Sequence, residues 1–261
     1  MRAISLAKFE EGVVNEDAAI AKKKVIAVSD GAGGGGVYAE RWSQYLVNNL
    51  PNTPFHNFKA FDKWIDGIWE PFYNECEEEA QKIGGLFLNK FYDEGSLATL
   101  VAVWKNGIWI SYGDSVAFCY NRKTKELQHS FTRLTDFNDP PYLLSSKDPL
   151  VEEGFRRGRF NIDNDCIVFA ASDTLSHYIL MMYEVAHMNK FADELQQAVD
   201  AQTKNSNFIK TAMASDGLDF ERDVVHKLQN CSTCQILQSH IKDLKEKGLI
   251  GHDDYSLVFK S

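Results

Sequence analysis

Three apolar runs in this chain each end on an aspartate, and that recurrence constrains the fold more than any other feature. VIAVS ends at Asp30, IWISYG at Asp114 and IVFAAS at Asp173. Short runs rich in Val, Ile and aromatic residues read as buried strands. Each strand therefore delivers a carboxylate to its own end. Two further acidic clusters, Asn15-Glu16-Asp17 and Asp253-Asp254, flank other apolar runs. Side chains at strand ends are held rigidly by the sheet. Several carboxylates converging there repel one another unless a hard cation neutralises them. Ligands that are all oxygen suit Mg²⁺ or Mn²⁺. Two such ions a few ångströms apart orient a water, lower its pKa and clamp a phosphoryl oxygen. That chemistry needs no histidine or cysteine.

The glycines after Asp30 belong to the same argument. Gly31 is followed by glycine at four of the next five positions. A nucleotide loop would show spaced G-x-G-x-x-G or a Lys-Ser/Thr pair, and neither is present. The glycines instead let the backbone approach a site closely. A lone strand-end aspartate is ordinarily a turn former or a cap, so the weight lies on the ordered set.

The remaining sequence frames that set. AISLA (3–7) can be a strand. Ala39, Trp42, Leu46 and Leu50 fall at helical spacing, as do Phe58, Phe61, Ile65, Ile68 and Phe72 in a stretch over 57–83. Pro71 is expected to kink or break that second helix, and ECEEEAQK to be a solvated face. Residues 96–104, 108–112 and 116–120 read as consecutive antiparallel strands. Asn106-Gly107 marks a hairpin, and NRKTKE is a charged turn. Residues 132–164, with Pro140-Pro141, read as a long loop or flap. Residues 174–252 are mainly helical in pattern, and YSLVF (255–259) closes with a strand. No internal repeat is visible.

A chain of 261 residues suffices for one large domain. A net charge of −9 and a pI near 5.3 argue against nucleic-acid grooves and anionic membrane surfaces. There is no signal-peptide pattern and no run of 18 apolar residues. Five cysteines, scattered except for Cys231 and Cys234, suit a reducing compartment. A cytoplasmic location is expected. Cys231-x-x-Cys234, with His226 and His240 near it, lacks the second pair of a zinc site and reads as thiols on a helix. His177 and His187 show no partner in the sequence.

The chain resembles the metal-dependent protein phosphatases, the type 2C Ser/Thr class, as a divergent bacterial-type member. The matching pieces occur in that family's order: NEDA (15–18), VSDGAGG (28–34), EGSLATLVAV (94–103), YGDSVA (112–117), FAASD (169–173) and DDYSLV (253–258). The resemblance implies an α+β, four-layer α-β-β-α sandwich with two antiparallel central sheets flanked by helices. It implies a single domain over 1–261, with a flap around 132–164 and a mainly helical insertion around 174–252. It also implies hydrolysis of phosphoserine or phosphothreonine in proteins by a metal-activated water, without a phosphoenzyme, at a binuclear Mn²⁺ or Mg²⁺ centre. By the same resemblance Asp17 matches the acid of the first motif, with Glu16 its neighbour. Asp30 matches the metal-bridging aspartate, and Gly31 lends a carbonyl oxygen. Asp173 and Asp253 match the remaining aspartate ligands, and Asp114 matches a holder of a weaker third ion.

The sequence departs from the family's pattern twice. No arginine lies between Arg2 and Asp17 to grip phosphate, and Lys8 is the nearby basic residue. Thr174 stands where the pattern has glycine, which is expected to crowd the site or alter the turn. A true Ser-Asp-Gly lies at 215–217, but Asp173 ends a buried strand and Asp216 does not, so Asp173 is the expected ligand. The alternatives are a catalytically weak regulatory or partner-binding relative, with the helical segment 174–252 as the partner surface, and a phosphatase of small phosphomonoesters. No Cys-x5-Arg stretch offers a rival nucleophile.

Overall fold

A computed structural model describes residues 1–260 of the chain. Two five-stranded antiparallel sheets lie face to face. One runs β1 (Arg2–Leu6), β12 (Tyr255–Lys260), β11 (Cys166–Ala171), β7 (Val116–Asn121), β8 (Glu126–His129). The other runs β10 (Phe155–Arg159), β6 (Ile108–Tyr112), β5 (Leu100–Trp104), β3 (Val25–Ser29), β2 (Ala18–Ala21). A short ribbon joins β4 (Leu97–Ala98) to β9 (Leu144–Ser145).

Alternation along the strands explains the layers. Ile26, Val28, Val101 and Val103 meet Ala117, Cys119, Val168, Ala170 and Val258 between the two sheets. Their neighbours Val25, Ala27, Leu100, Ala102 and Trp104 point outward, against Trp42, Leu46, Phe61 and Phe72. Those four come from α1 (Ala39–Asn49), α2 (Phe58–Asp66) and α3 (Trp69–Ile83), which with α4 (Gly85–Glu94) form one outer layer. On the opposite side α5 (Asp173–Ala186), α6 (Met188–Asp200), α7 (Lys204–Met213), α8 (His226–Asn230) and α9 (Cys234–Glu246) cover Phe118, Phe169, Leu257 and Phe259. The result is the four-layer sandwich. Strands buried on both faces explain why their sequences are almost uninterrupted apolar runs.

Several elements differ from the sequence expectation. The helix over 57–83 breaks at Gly67–Ile68 rather than at Pro71. Pro71 sits in the first turn of α3, where a missing N–H costs nothing. ECEEEAQK is not all solvated: Cys76 and Ala80 are buried, while Glu75 and Glu79 pair with Arg41 at 2.5 and 2.7 Å. The long loop over 132–164 contains a strand, β10, which pairs with β6 through Phe155↔Tyr112 to Arg159↔Ile108. Its sequence, FRRGR, has no apolar period because it is an edge strand held by backbone bonds. The strand over 96–104 is interrupted at Thr99, and α4 is a helix that the periodicity does not announce. Among the described residues, no helix is long and apolar enough to cross a membrane.

Candidate metal centre

The acids arrive at one end of the sandwich because strand ends bring them there. Asp17 directly precedes β2 and Asp30 directly follows β3. Asp114 and Asp173 lie two residues beyond β6 and β11, and Asp253 two residues before β12. Asp30, Asp114, Asp173 and Asp253 line one cleft of about 340 Å³, together with Lys8 and Glu16.

Asp30 is anchored by its backbone. Thr99 N–H donates to Asp30 O at 2.8 Å, and Asp30 N–H donates to Thr99 Oγ1 at 3.3 Å. Thr99 Oγ1 is shared with Ser115 Oγ at 2.7 Å, and Ser29 Oγ donates to Thr99 O at 2.6 Å. This exchange is what interrupts the strand at Thr99. Gly31 is glycine for room: a Cβ there would lie 2.6 Å from Glu16 O and 2.8 Å from Ala39 O. At Gly33 a Cβ would lie 1.8 Å from Glu16 Oε1.

The electrostatics record the crowding. Burial pushes Asp30 well above the usual carboxylate range, and the charges of Asp17, Asp173, Asp114 and Asp253 push it further. Asp17 is also raised, first by burial, against a hydrogen bond from Ser172 that favours its anion. Asp114 is pushed up to about 7 by burial and then by Asp173, with Arg156 opposing. Asp173 is raised to about 6 by burial and then by Asp253, against hydrogen bonds with Thr174 N–H and Asp30.

These residues fit a hard cation. The donors are all oxygen, and Asp17 Oδ2 is sealed from solvent with no hydrogen-bond partner. Among the described residues, no three His, Cys, Asp or Glu groups already stand in coordinating geometry. Chain donors engage some of the oxygens: Thr174 N–H donates to Asp173 Oδ1, and Asp254 N–H donates to Asp253 Oδ1 at 2.9 Å. The second oxygen of each carboxylate remains free of these bonds.

No protein-family model matches the chain, and no curated protein matches it. Solved structures do. The catalytic domain of the serine/threonine protein phosphatase PstP, in complex with two manganese ions, aligns over 98% of this chain and 95% of its own, with TM-score 0.52 and 17% identity. The Mycobacterium tuberculosis serine/threonine phosphatase PstP/Ppp aligns with the same figures. The fold is that of the type 2C phosphatases.

Within the type 2C fold, the structure brings Asp17, Asp30, Gly31, Asp114, Asp173 and Asp253 to one place. Thr174 lies in the first turn of α5, donates its N–H to Asp173 Oδ1 and lines the space beside that carboxylate. Asp254, grouped with Asp253 in the sequence, has a different task. Its carboxylate accepts Lys8 N–H and Glu16 N–H, each at 2.7 Å, and so ties the first acidic loop to the end of β12. Thr99, Ser115 and Ser172 lie within the matching motifs but carry no expected role there, and Arg156 lies in no motif; the fold shows all four beside the acids.

Cys231 is buried and Cys234 exposed, so the two thiols face different ways. Asp216 is exposed in the turn after α7. Asp216→Asn is expected to leave metal-dependent turnover within about twofold and stability within ~0.5 kcal/mol. Steady-state rates and a thermal melt check this, and a complete loss of activity would transfer the ligand role from Asp173 to Asp216.

Proposed function

We propose that the chain is a metal-dependent phosphatase acting on phosphoserine and phosphothreonine in proteins. The observation that carries this is the convergence of Asp30, Asp114, Asp173 and Asp253, from four separate segments, on one cleft, with Asp17 raising the pKa of Asp30 beside it. Buried like charges destabilise a fold unless an opposite charge uses them. Asp17, Asp30, Asp173 and Asp253, with the Gly31 carbonyl, would hold two Mn²⁺ or Mg²⁺ ions, and Asp114 with Asp173 a weaker third. Bound there, the ions supply Lewis acidity toward phosphoryl oxygens and a water of lowered pKa.

The chain's own residues do the rest. Thr99 and Ser115 fix Asp30 at its strand end. Ser172 hydrogen-bonds Asp17 and favours its anion. Gly31 and Gly33 let the backbone come close. Lys8, the one basic residue lining the first cleft, places positive charge where a phosphate would enter, in a chain without the family's arginine. Pro141 and Leu143, from the proposed flap, line the cleft. The five cysteines are all free thiols, which supports a reducing, cytoplasmic setting.

The test is p-nitrophenyl phosphate hydrolysis by the purified chain with Mn²⁺, with Mg²⁺ and with chelator. Turnover that appears with Mn²⁺ and vanishes with chelator is expected. Folded protein inert with every metal would overturn the reading in favour of a regulatory relative. Turnover of small phosphomonoesters with no gain on phosphopeptides would move the substrate to small molecules.

A further inference from the structure

The carboxylate centre has a second cleft on its other flank. It measures about 200 Å³ and shares Asp114, Asp173 and Asp253 with the first. Its other walls include Phe137 in the segment after β8, Thr174 and His177 on α5, Lys204, Asn205 and Phe208 on α7, and Gly251 and His252 before β12. The pocket is built rather than incidental. Thr203 Oγ1 and Asn205 Nδ2 both donate to Asn138 Oδ1, at 2.8 and 3.2 Å, and lock α7 to the turn that carries Phe137. His177 lies close to both phenylalanines, its ring centroid 5.4 Å from Phe137 and 6.4 Å from Phe208. His177 is only 6% exposed, and its Nε2 has no hydrogen-bond partner.

We infer that this second cleft is a specificity subsite that receives the side chain next to the phosphorylated residue of a peptide, and that Lys204 selects an acidic side chain there. The inference rests on the phosphatase reading above. Size favours a single side chain, since sites for whole small molecules run to about 300–1,000 Å³. Among the described residues no carboxylate pairs with Lys204. It opens a ten-residue helix whose first turn has no acid, so the helix dipole adds positive charge at the same spot. His252, which also lines the cleft, contacts Glu10 Oε1 through Nε2 at 2.8 Å. Asp114, Asp173 and Asp253 lie on the wall shared with the first cleft, where cations would neutralise them.

The test uses the full chain with Mn²⁺ and fluorescent peptides carrying a non-hydrolysable phosphonate in place of phosphoserine, flanked by Glu, Ala or Lys. Anisotropy titrations are expected to show the Glu peptide binding about 2–5-fold more tightly than the Lys peptide, the range of an exposed ion pair. Lys204→Glu is expected to invert that order and Lys204→Met to flatten it. The same order in Lys204→Glu as in the wild type, no preference in the wild type, or no binding of any peptide each overturns the subsite. Wild-type turnover of p-nitrophenyl phosphate, which has no neighbouring side chain, tests the phosphatase reading separately. Lys204 is exposed, so thermal melts of the variants are expected to match the wild type.

Discussion

Asp30→Asn is expected to cut Mn²⁺-dependent phosphate release by about 10²–10³-fold or more, while raising the melting temperature of the metal-free protein. The two effects share one cause. Asp30 is half-buried beside Asp17, Asp173, Asp114 and Asp253, and its pKa is raised first by desolvation and then by their charges. Its anion is therefore a cost to the fold and an asset to a cation. Asparagine keeps the shape and removes the charge. The backbone clamp from Thr99 does not involve the carboxylate, so the turn should survive. Each kcal/mol of relieved repulsion is worth about 2–4 °C in a domain of this size. A third readout needs no turnover: Mn²⁺ should raise the wild-type melting temperature and leave the variant nearly unmoved, because a ligand stabilises only the state it binds. Wild-type-like turnover in the variant would sink the binuclear assignment. Lost activity with a lowered metal-free melting temperature would show instead that Asp30 holds the turn together.

How much of this was legible in the sequence depended on whether burial or backbone pairing made each element. The strands ending at Asp30, Asp114 and Asp173 announced themselves because both faces are buried, so nearly every position is apolar. The two antiparallel sheets and the helical segment after Asp173 followed from period and turn chemistry together with the resemblance. β10 left no trace, because an edge strand made of FRRGR is held through its main chain and its arginines serve other partners. Arg156 Nη1 donates to Thr132 Oγ1 at 3.0 Å, and Arg157 Nε donates to Phe55 O at 2.8 Å. Pro71 misled because a proline that ends one helix and a proline that opens the next look alike in sequence. The acids were legible as types, and the resemblance singled out Asp253; the separate task of Asp254 shows only in the Lys8 and Glu16 N–H groups that it accepts. The second cleft was invisible from sequence. It arises where Phe137 and Phe208, 71 positions apart, close over a histidine that has no local partner.

A second large effect lies away from the centre. Glu184→Gln is expected to stabilise the protein by roughly 2–4 kcal/mol at pH 8 and to change little at pH 5. Glu184 sits on α5, is 4% exposed, and has Oε2 sealed without a hydrogen-bond partner. Burial, and then the charge of Glu194, push its carboxyl up to about 8. The unfolded chain releases this proton near the ordinary glutamate value of 4.5, while the folded chain keeps it until about pH 8. Between those values the folded state binds more protons, so wild-type stability falls as pH rises through the window. Below it, protonated glutamate and glutamine are nearly equivalent. Chemical denaturation of both proteins from pH 5 to pH 8.5 reads this directly, as a gap that opens with pH. Parallel curves would mean that Glu184 ionises freely in the folded protein and that its carboxylate finds compensation inside the α5 layer. An opening gap would show that the helical layer carries a buried acid held neutral, at a position the metal centre does not use.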